Sequence, residues 1–308
     1  MDLSIGKGET VALVGETGCG KTVTAKAILG ILPIPPAEIT KGEILFGGVN
    51  LLNLDEKQIS QVIGKRMSLV PQDPMTCLNP VYTVGEQLLD IMRWQGKKDP
   101  GLLRYIGGRF RREKNPNQYE KAVNMLESLL IASPREVMKR YPVELSGGMR
   151  QRVLIGMALI NDPEFLIADE PGTALDVTVQ DQILDLLKSL IETKNLSVLY
   201  ITHNLGVARN IASRVYVMYA GRIAETAPTD KLFQDPRHPY TIGLLESVPK
   251  LSGMSTKGIM GRMPDFGNPP KGCRFHPRCA HVKEVCMMKR PEMLEVDTDH
   301  LVACHLYQ

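Results

Sequence analysis

No apolar run in this 308-residue sequence approaches the roughly 18–20 residues needed to cross a bilayer. The N-terminus also lacks the charged-then-apolar pattern of a secretory signal. The expected compartment is therefore the cytosol, with any membrane association supplied by a partner. A strong charge of one sign is missing as well. The net charge is +3 and the pI is about 8.4, too mild to argue for a nucleic-acid partner. There is no internal repeat. Apolar residues make up 43% of the chain, enough for a large core, so the length fits one large domain with appendages or two domains.

The pattern of short apolar runs and helical periods organises the chain. Residues 10–15 (TVALVG) read as a strand ending in glycine, and residues 22–32 as a helix stopped before Pro33. Residues 42–54 read as a hairpin and strand, and residues 66–71 as another strand. From about 83 to 160 the texture is helical, interrupted at 95–118 by a Gly-, Pro- and Lys/Arg-rich loop or insertion. Strand-helix alternation returns with FLIAD (165–169), a helix over 178–193, VLYIT (198–202), a helix over 204–211 and VYVMYAG (215–221). Such alternation predicts an α/β fold with a mostly parallel, covered sheet. Residues 222–250 read as a bridge, and 251–272 as linker-like.

Gly15-Glu16-Thr17-Gly18-Cys19-Gly20-Lys21-Thr22 fits G-x-x-x-x-G-K-[ST] between a strand and a helix. Glycines let the backbone wrap a phosphate chain, so that successive N–H groups and the helix N-terminus face the anion. Lys21 adds positive charge near the β- and γ-phosphates, and the Thr22 hydroxyl suits Mg²⁺. FLIAD followed by Glu170-Pro171 is an apolar strand delivering two carboxylates. In a P-loop enzyme Asp169 would hold Mg²⁺ or its water, and Glu170 would polarise the attacking water.

Leu145-Ser146-Gly147-Gly148-Met149-Arg150-Gln151-Arg152 matches the signature of ABC ATPases, and the chain resembles that family from Leu3 to about Tyr240. The resemblance implies a P-loop NTPase (RecA-like) core with a helical signature subdomain. It makes Gln72 the Q-loop residue that senses Mg²⁺ and the transmembrane partner. Ala174-Leu175-Asp176 becomes the D-loop, and His203 the switch histidine, 33 residues after Glu170. Ser146, Gly147 and Gly148 open a helix, and in the family that anion site completes the ATP site of a second subunit, homo- or heteromeric. With Lys21, Gln72, Ser146, Asp169, Glu170 and His203 all present, a hydrolytically competent site is expected. Family members carry a longer segment before the phosphate loop, including an adenine-stacking aromatic. Here 14 residues precede Gly15, from which weaker ATP binding and an exposed sheet edge are expected.

Val70-Pro71-Gln72-Asp73-Pro74 with Leu78-Asn79-Pro80 resembles the Q-loop of dipeptide/oligopeptide importer ATPases. So do Asp235-Pro236-Arg237-His238-Pro239-Tyr240-Thr241 and Gly272-Cys273-Arg274-Phe275-His276-Pro277-Arg278-Cys279. This implies transmembrane permease subunits as direct partners, a solute-binding protein as an indirect one, and a peripheral position on the cytoplasmic face of the membrane. Nickel and other small-solute importers are the nearer alternative. A soluble repair or translation ATPase is the more distant one, disfavoured because no long coiled-coil insertion or second cassette is present. An iron–sulfur redox sensor with a vestigial ATP site is disfavoured by the intact hydrolytic residues.

Four of the six cysteines, Cys273, Cys279, Cys286 and Cys304, fall in the last 36 residues. In a cytosolic chain such a group reads as metal binding rather than disulfides. Their spacing lacks paired C-x2-C knuckles, and four thiolates suit either Zn²⁺ or an iron–sulfur cluster. The resemblance ranks [4Fe–4S] first, Zn²⁺ second and unmetallated thiols last. His276, His281 and His305 are read as surface residues. With few large apolar residues, the module is expected to need metal to fold. The expected division is an ATPase domain over 1–240 with its helical subdomain at about 83–160, a linker over 241–272 and a four-cysteine module over 273–308. Arg93 to Lys114 holds eight basic residues against two acidic ones and reads as a solvated loop.

Overall fold

The structure, a computed structural model, describes residues 1–94, 116–173, 175–248 and 258–308. The basic stretch after Trp94, most of its charge included, lies outside the described residues, as do Ala174 and residues 249–257 of the expected linker. The chain divides into two compact units, residues 1–25 with 197–308, and residues 26–196.

In the first unit the strands are β1 (Thr10–Val14), β6 (Ser197–Thr202), β7 (Arg214–Tyr219), β8 (Arg222–Pro228), β9 (Leu294–Asp297) and β10 (His300–Val302). β1 lies between β6 and β7, parallel to both. Its residues Val11 to Val14 have no exposed surface, as expected for a β-branched run covered on both faces. β8 adds antiparallel to β7, β10 to β8 and β9 to β10. The bridge expected over 222–250 is thus partly a strand. β8 (RIAETAP) is buried over its central five residues although Glu225 and Thr226 are polar, and that polarity hides it from an apolar-run reading. The helices Thr229–Gln234 and Pro239–Glu246 follow.

A buried polar knot fixes β8 to its surroundings. Glu225, fully buried, accepts hydrogen bonds from the Arg237 N–H at 2.7 Å and the His238 N–H at 2.9 Å. It also lies 2.7 Å from Nε2 of the equally buried His300 on β10. Burial pushes the His238 imidazole down to about 4. The ring is neutral at physiological pH, and its Nδ1 accepts the Tyr240 N–H at 3.0 Å.

In the second unit β4 (Met67–Val70) pairs parallel with β5 (Phe165–Asp169), and β2 (Leu45–Phe46) with β3 (Val49–Asn50) forms a minimal hairpin. The helical part contains Val84–Trp94, Pro116–Ser128, Pro134–Val137 and Gly147–Leu159. Gly156 lets the last of these pack closely, since a Cβ there would lie 2.8 Å from Leu129 Cδ1. Arg152 ties the same region by donating to the Leu129 carbonyl at 2.7 Å. The helix Val177–Lys194 buries Ile183, Leu186, Leu187 and Leu190 on one stripe.

Removing the Glu225 carboxyl strands the buried His238 N–H, the part-buried Arg237 N–H and the buried His300. Glu225→Ala is expected to cost about 3–5 kcal/mol, the usual range for breaking a buried pair. Urea denaturation measures this, and a loss below about 1 kcal/mol, the ordinary surface range, contradicts the assignment.

Candidate active site

The first unit supplies the loop between β1 and the helix Lys21–Ile28. Val14 pairs with Val217 of β7, so the chain leaving β1 runs directly over Met218. A Cβ on Gly15 would sit 2.2 Å from the Met218 carbonyl oxygen and 2.9 Å from Cys19 Sγ, which excludes every other residue. Gly20 adopts φ +110°, in the region that favours glycine. Lys21 is only 5% exposed, and its Nζ donates to the carbonyls of Gly15 at 2.8 Å and Glu16 at 3.2 Å. Thr17 and Gly18 are exposed, Thr22 is half-buried, and burial pushes the Cys19 thiol up.

Val14 also pairs with Thr202 on β6. Gly15 and His203 therefore leave the same end of adjacent parallel strands, which are about 4.8 Å apart in any sheet. His203 is exposed. Asn204 caps the following helix, accepting N–H bonds from Gly206 and Val207.

The second unit repeats this logic. Val70 of β4 pairs with Ala168 of β5, so Gln72 and Glu170 emerge side by side. Gln72 Nε2 donates to Glu170 Oε2 at 3.1 Å, and Thr173 Oγ1 donates to the same oxygen at 3.2 Å. Glu170 has φ +47°, a left-handed conformation costing a non-glycine residue roughly 1–2 kcal/mol. Strain of this kind concentrates where side-chain direction matters. Asp169, one residue earlier, is buried to 5% exposure.

Ser146 caps the helix Gly147–Leu159, accepting the Met149 N–H at 3.3 Å, and both Ser146 and Gly147 are exposed. Asp176 caps the helix Val177–Lys194 by accepting the Val179 N–H at 3.0 Å. The two helix starts touch. A Cβ on Gly147 would lie 3.1 Å from Leu175 Cδ2, and one on Gly148 2.8 Å from Val179 Cγ1. The signature glycines thus have a packing reason beyond the anion-binding role expected of them.

The expected four-cysteine group is not formed as a metal site. Among the described residues no set of three or more His, Cys, Asp or Glu side chains is arranged to hold an ion. The thiols nevertheless share one neighbourhood. Burial pushes the Cys273 thiol up to about 11, and the charges of Cys286, Cys304 and Cys279 add to this. Burial likewise raises Cys279 and Cys304, with Cys286 contributing to both. Backbone N–H groups of His281 and Lys283 donate to the sulfurs of Cys279 and Cys286, each at 3.4 Å. His305, expected at the surface, is buried with Nε2 2.8 Å from the Lys289 carbonyl. The segment also has an apolar anchor that its composition did not advertise. Phe275 is buried against Tyr219 and Tyr240, at centroid distances of 5.1 and 5.4 Å.

A family model described as "ABC transporter" matches residues 1–173. The chain belongs to the ABC transporter family. A second model, "Oligopeptide/dipeptide transporter, C-terminal region", matches residues 224–286 of this ABC protein. The oligopeptide transport ATP-binding protein OppD of Bacillus subtilis (strain 168) is 44% identical over 307 residues, covering 98% of this chain and 81% of the relative. The dipeptide transport ATP-binding protein DppD of the same organism is 44% identical over 302 residues, covering 97% and 86%. The dimeric ATP-binding cassette MJ0796, in a post-hydrolysis state bound to ADP and Pi, superposes with a TM-score of 0.60 at 25% identity over 74% of this chain and 88% of its own. A further dimeric structure of the same bacterial ABC transporter cassette gives the same values. The α/β P-loop fold expected from the sequence is that of this family. No described helix of the ABC chain is long and apolar enough to cross a membrane.

Gly15→Ala is expected to weaken MgATP binding at least tenfold, because its Cβ cannot share space with the Met218 carbonyl and overpacking of 1–3 kcal/mol falls on the loop itself. Equilibrium titration checks this, and wild-type affinity in a folded Gly15→Ala protein contradicts it.

Proposed function

We propose that this ABC ATPase hydrolyses ATP on the cytoplasmic face of the membrane to drive import of di- or oligopeptides through permease subunits. The observation that carries the ATP reading is the glycine loop closed over Met218 with the buried Lys21 beneath it. Its wrap and its following helix present N–H groups to an anion. Gly15, Glu16, Thr17, Gly18, Cys19, Gly20, Lys21 and Thr22 are read as the phosphate cradle. Thr22, Gln72 and Asp169 all offer oxygen, which suits Mg²⁺. When bound, the ion would neutralise phosphate charge.

Glu170 is the group that accepts a proton from the attacking water, and its carboxylate is already oriented by Gln72 and Thr173. His203 contacts the γ-phosphate. The exposed Ser146 and Gly147, with the half-buried Gly148, face the nucleotide of a second ATPase subunit, and Asp176 lies at that same interface. The peptide assignment is supported by the match over residues 224–286 and by the printed functions of the relatives. A peptide-binding protein would act on the permease and reach this chain only indirectly.

Cys273, Cys279, Cys286 and Cys304 are proposed as ligands of a [4Fe–4S] cluster, with Zn²⁺ as the alternative. Four thiols in one neighbourhood, with the sulfurs of Cys279 and Cys286 accepting N–H bonds, are the donor chemistry such clusters use. The cluster would clip the C-terminal segment together.

Lys21→Ala is expected to lose MgATP binding. Glu170→Gln should keep binding and lose turnover by about 10²–10⁴-fold, the range for a general base. ATPase assays beside binding titrations separate the two, and wild-type turnover in Glu170→Gln refutes the assignment. Anaerobically purified protein should show a broad visible absorption and bound iron, both lost in Cys273→Ser. Colourless, zinc-loaded protein contradicts the cluster.

A further inference from the structure

The phosphate loop is held from outside by the segment Cys273–Cys279, which the hydrolytic scheme does not use. The Glu16 carboxylate receives both oxygens' worth of contact from Arg278 Nη1, at 3.1 and 3.0 Å. Arg278 is only 5% exposed and Glu16 29%. The remaining guanidinium nitrogens are fixed too. Nε donates to the Met260 carbonyl at 2.9 Å and Nη2 to the Ile259 carbonyl at 3.3 Å. The guanidinium also sits 5.8 Å from the Tyr219 ring centroid. The Glu16 N–H donates to the Tyr240 hydroxyl at 2.9 Å, and Tyr240 is fully buried.

The far end of the loop is bonded to the turn after β7, which the same segment touches. The Cys19 carbonyl accepts the Gly221 N–H at 2.7 Å. The neighbouring Ala220 carbonyl accepts a bond from Arg274 Nη1. Arg278 therefore contacts the loop directly at Glu16, and Arg274 reaches it only through the turn that bonds Cys19, while Phe275 packs on Tyr219 and Tyr240.

We propose that Arg278, backed by Tyr240, is a positioning residue for the phosphate loop, and that through it the C-terminal segment sets nucleotide affinity without touching nucleotide. The proposal rests on the reading of Gly15–Thr22 as the ATP cradle. Two physical effects act together. The buried guanidinium cancels the one carboxylate within the loop, which would otherwise repel phosphate. Fixing Glu16 at backbone and side chain also orders the loop before the anion arrives, so less ordering is required on binding. Truncating one member of a hydrogen-bonded, largely buried charge pair is the kind of change that moves affinity most.

The test is MgATP titration of the whole 308-residue chain, with ATPase kinetics on the assembled transporter. Arg278→Ala should raise Kd roughly tenfold, equivalent to about 1.4 kcal/mol, and the change should fall on KM rather than kcat. Arg278→Lys, which keeps the charge but not the forked geometry, should lie between. Adding Glu16→Gln to Arg278→Ala should recover much of the affinity, because the exposed carboxylate is gone. Thermal melting of each variant identifies any that fail to fold, in which case Arg278→Lys carries the test. Wild-type Kd in folded Arg278→Ala and Arg278→Lys overturns the proposal, as does a double variant as weak as Arg278→Ala. Lys21→Ala is the control. If wild-type protein does not bind MgATP, the nucleotide reading itself fails. If wild type binds, Lys21→Ala does not, and the Arg278 variants match wild type, only the positioning role fails.

Discussion

The passage of the backbone at Gly15 over the Met218 carbonyl is the constraint from which the first unit's chemistry follows. A strand with no exposed surface across Val11–Val14 can end only by turning sharply, and here it turns across its neighbour β7 with no room for a side chain. After that turn the chain brings Lys21 back, its Nζ donating to the Gly15 carbonyl at 2.8 Å. The same crossing makes the loop sensitive to the turn after β7, because the Gly221 N–H bonds to the Cys19 carbonyl. The geometry of the loop is thus coupled to β7 and the turn that follows it.

Parallel pairing does the rest of the positioning. In the first unit it delivers Gly15 and His203 to one sheet end, and in the second it delivers Gln72 and Glu170 to another. A parallel sheet gathers residues far apart in sequence at the carboxyl ends of its strands, which is where open α/β sheets bind ligands. Ser146 needs a different device. It stands at an exposed helix start whose Gly147 and Gly148 approach Leu175 and Val179, at the start of the Val177–Lys194 helix.

Much of this was legible in the residues because the information was local. The phosphate loop, β5 with its two acids and β6 with His203 are contiguous patterns whose meaning depends on strand order and glycine freedom alone. What escaped was non-local. Arg278 and Glu16 are 262 positions apart, and neither charge looks unusual in its own segment. β8 escaped because its buried positions include a glutamate that is tolerable only with the Arg237 and His238 N–H groups and His300 around it. The helix after the phosphate loop ends at Ile28, earlier than Pro33 suggested, because Gly30 turns the chain at φ +64°. The four cysteines were legible as a group by count, but spacing does not carry side-chain placement, and among the described residues they are not arranged around an ion.

The central claim is that ATP hydrolysis by this chain drives peptide across a membrane. The most direct measurement reconstitutes it with its permease subunits in vesicles, supplies ATP on the side bearing this chain, and follows a labelled peptide presented with the binding protein on the other. The account predicts accumulation of peptide that requires hydrolysable ATP and stops with Glu170→Gln. Accumulation that proceeds equally with a non-hydrolysable analogue, or ATP turnover with no peptide moved, would contradict it.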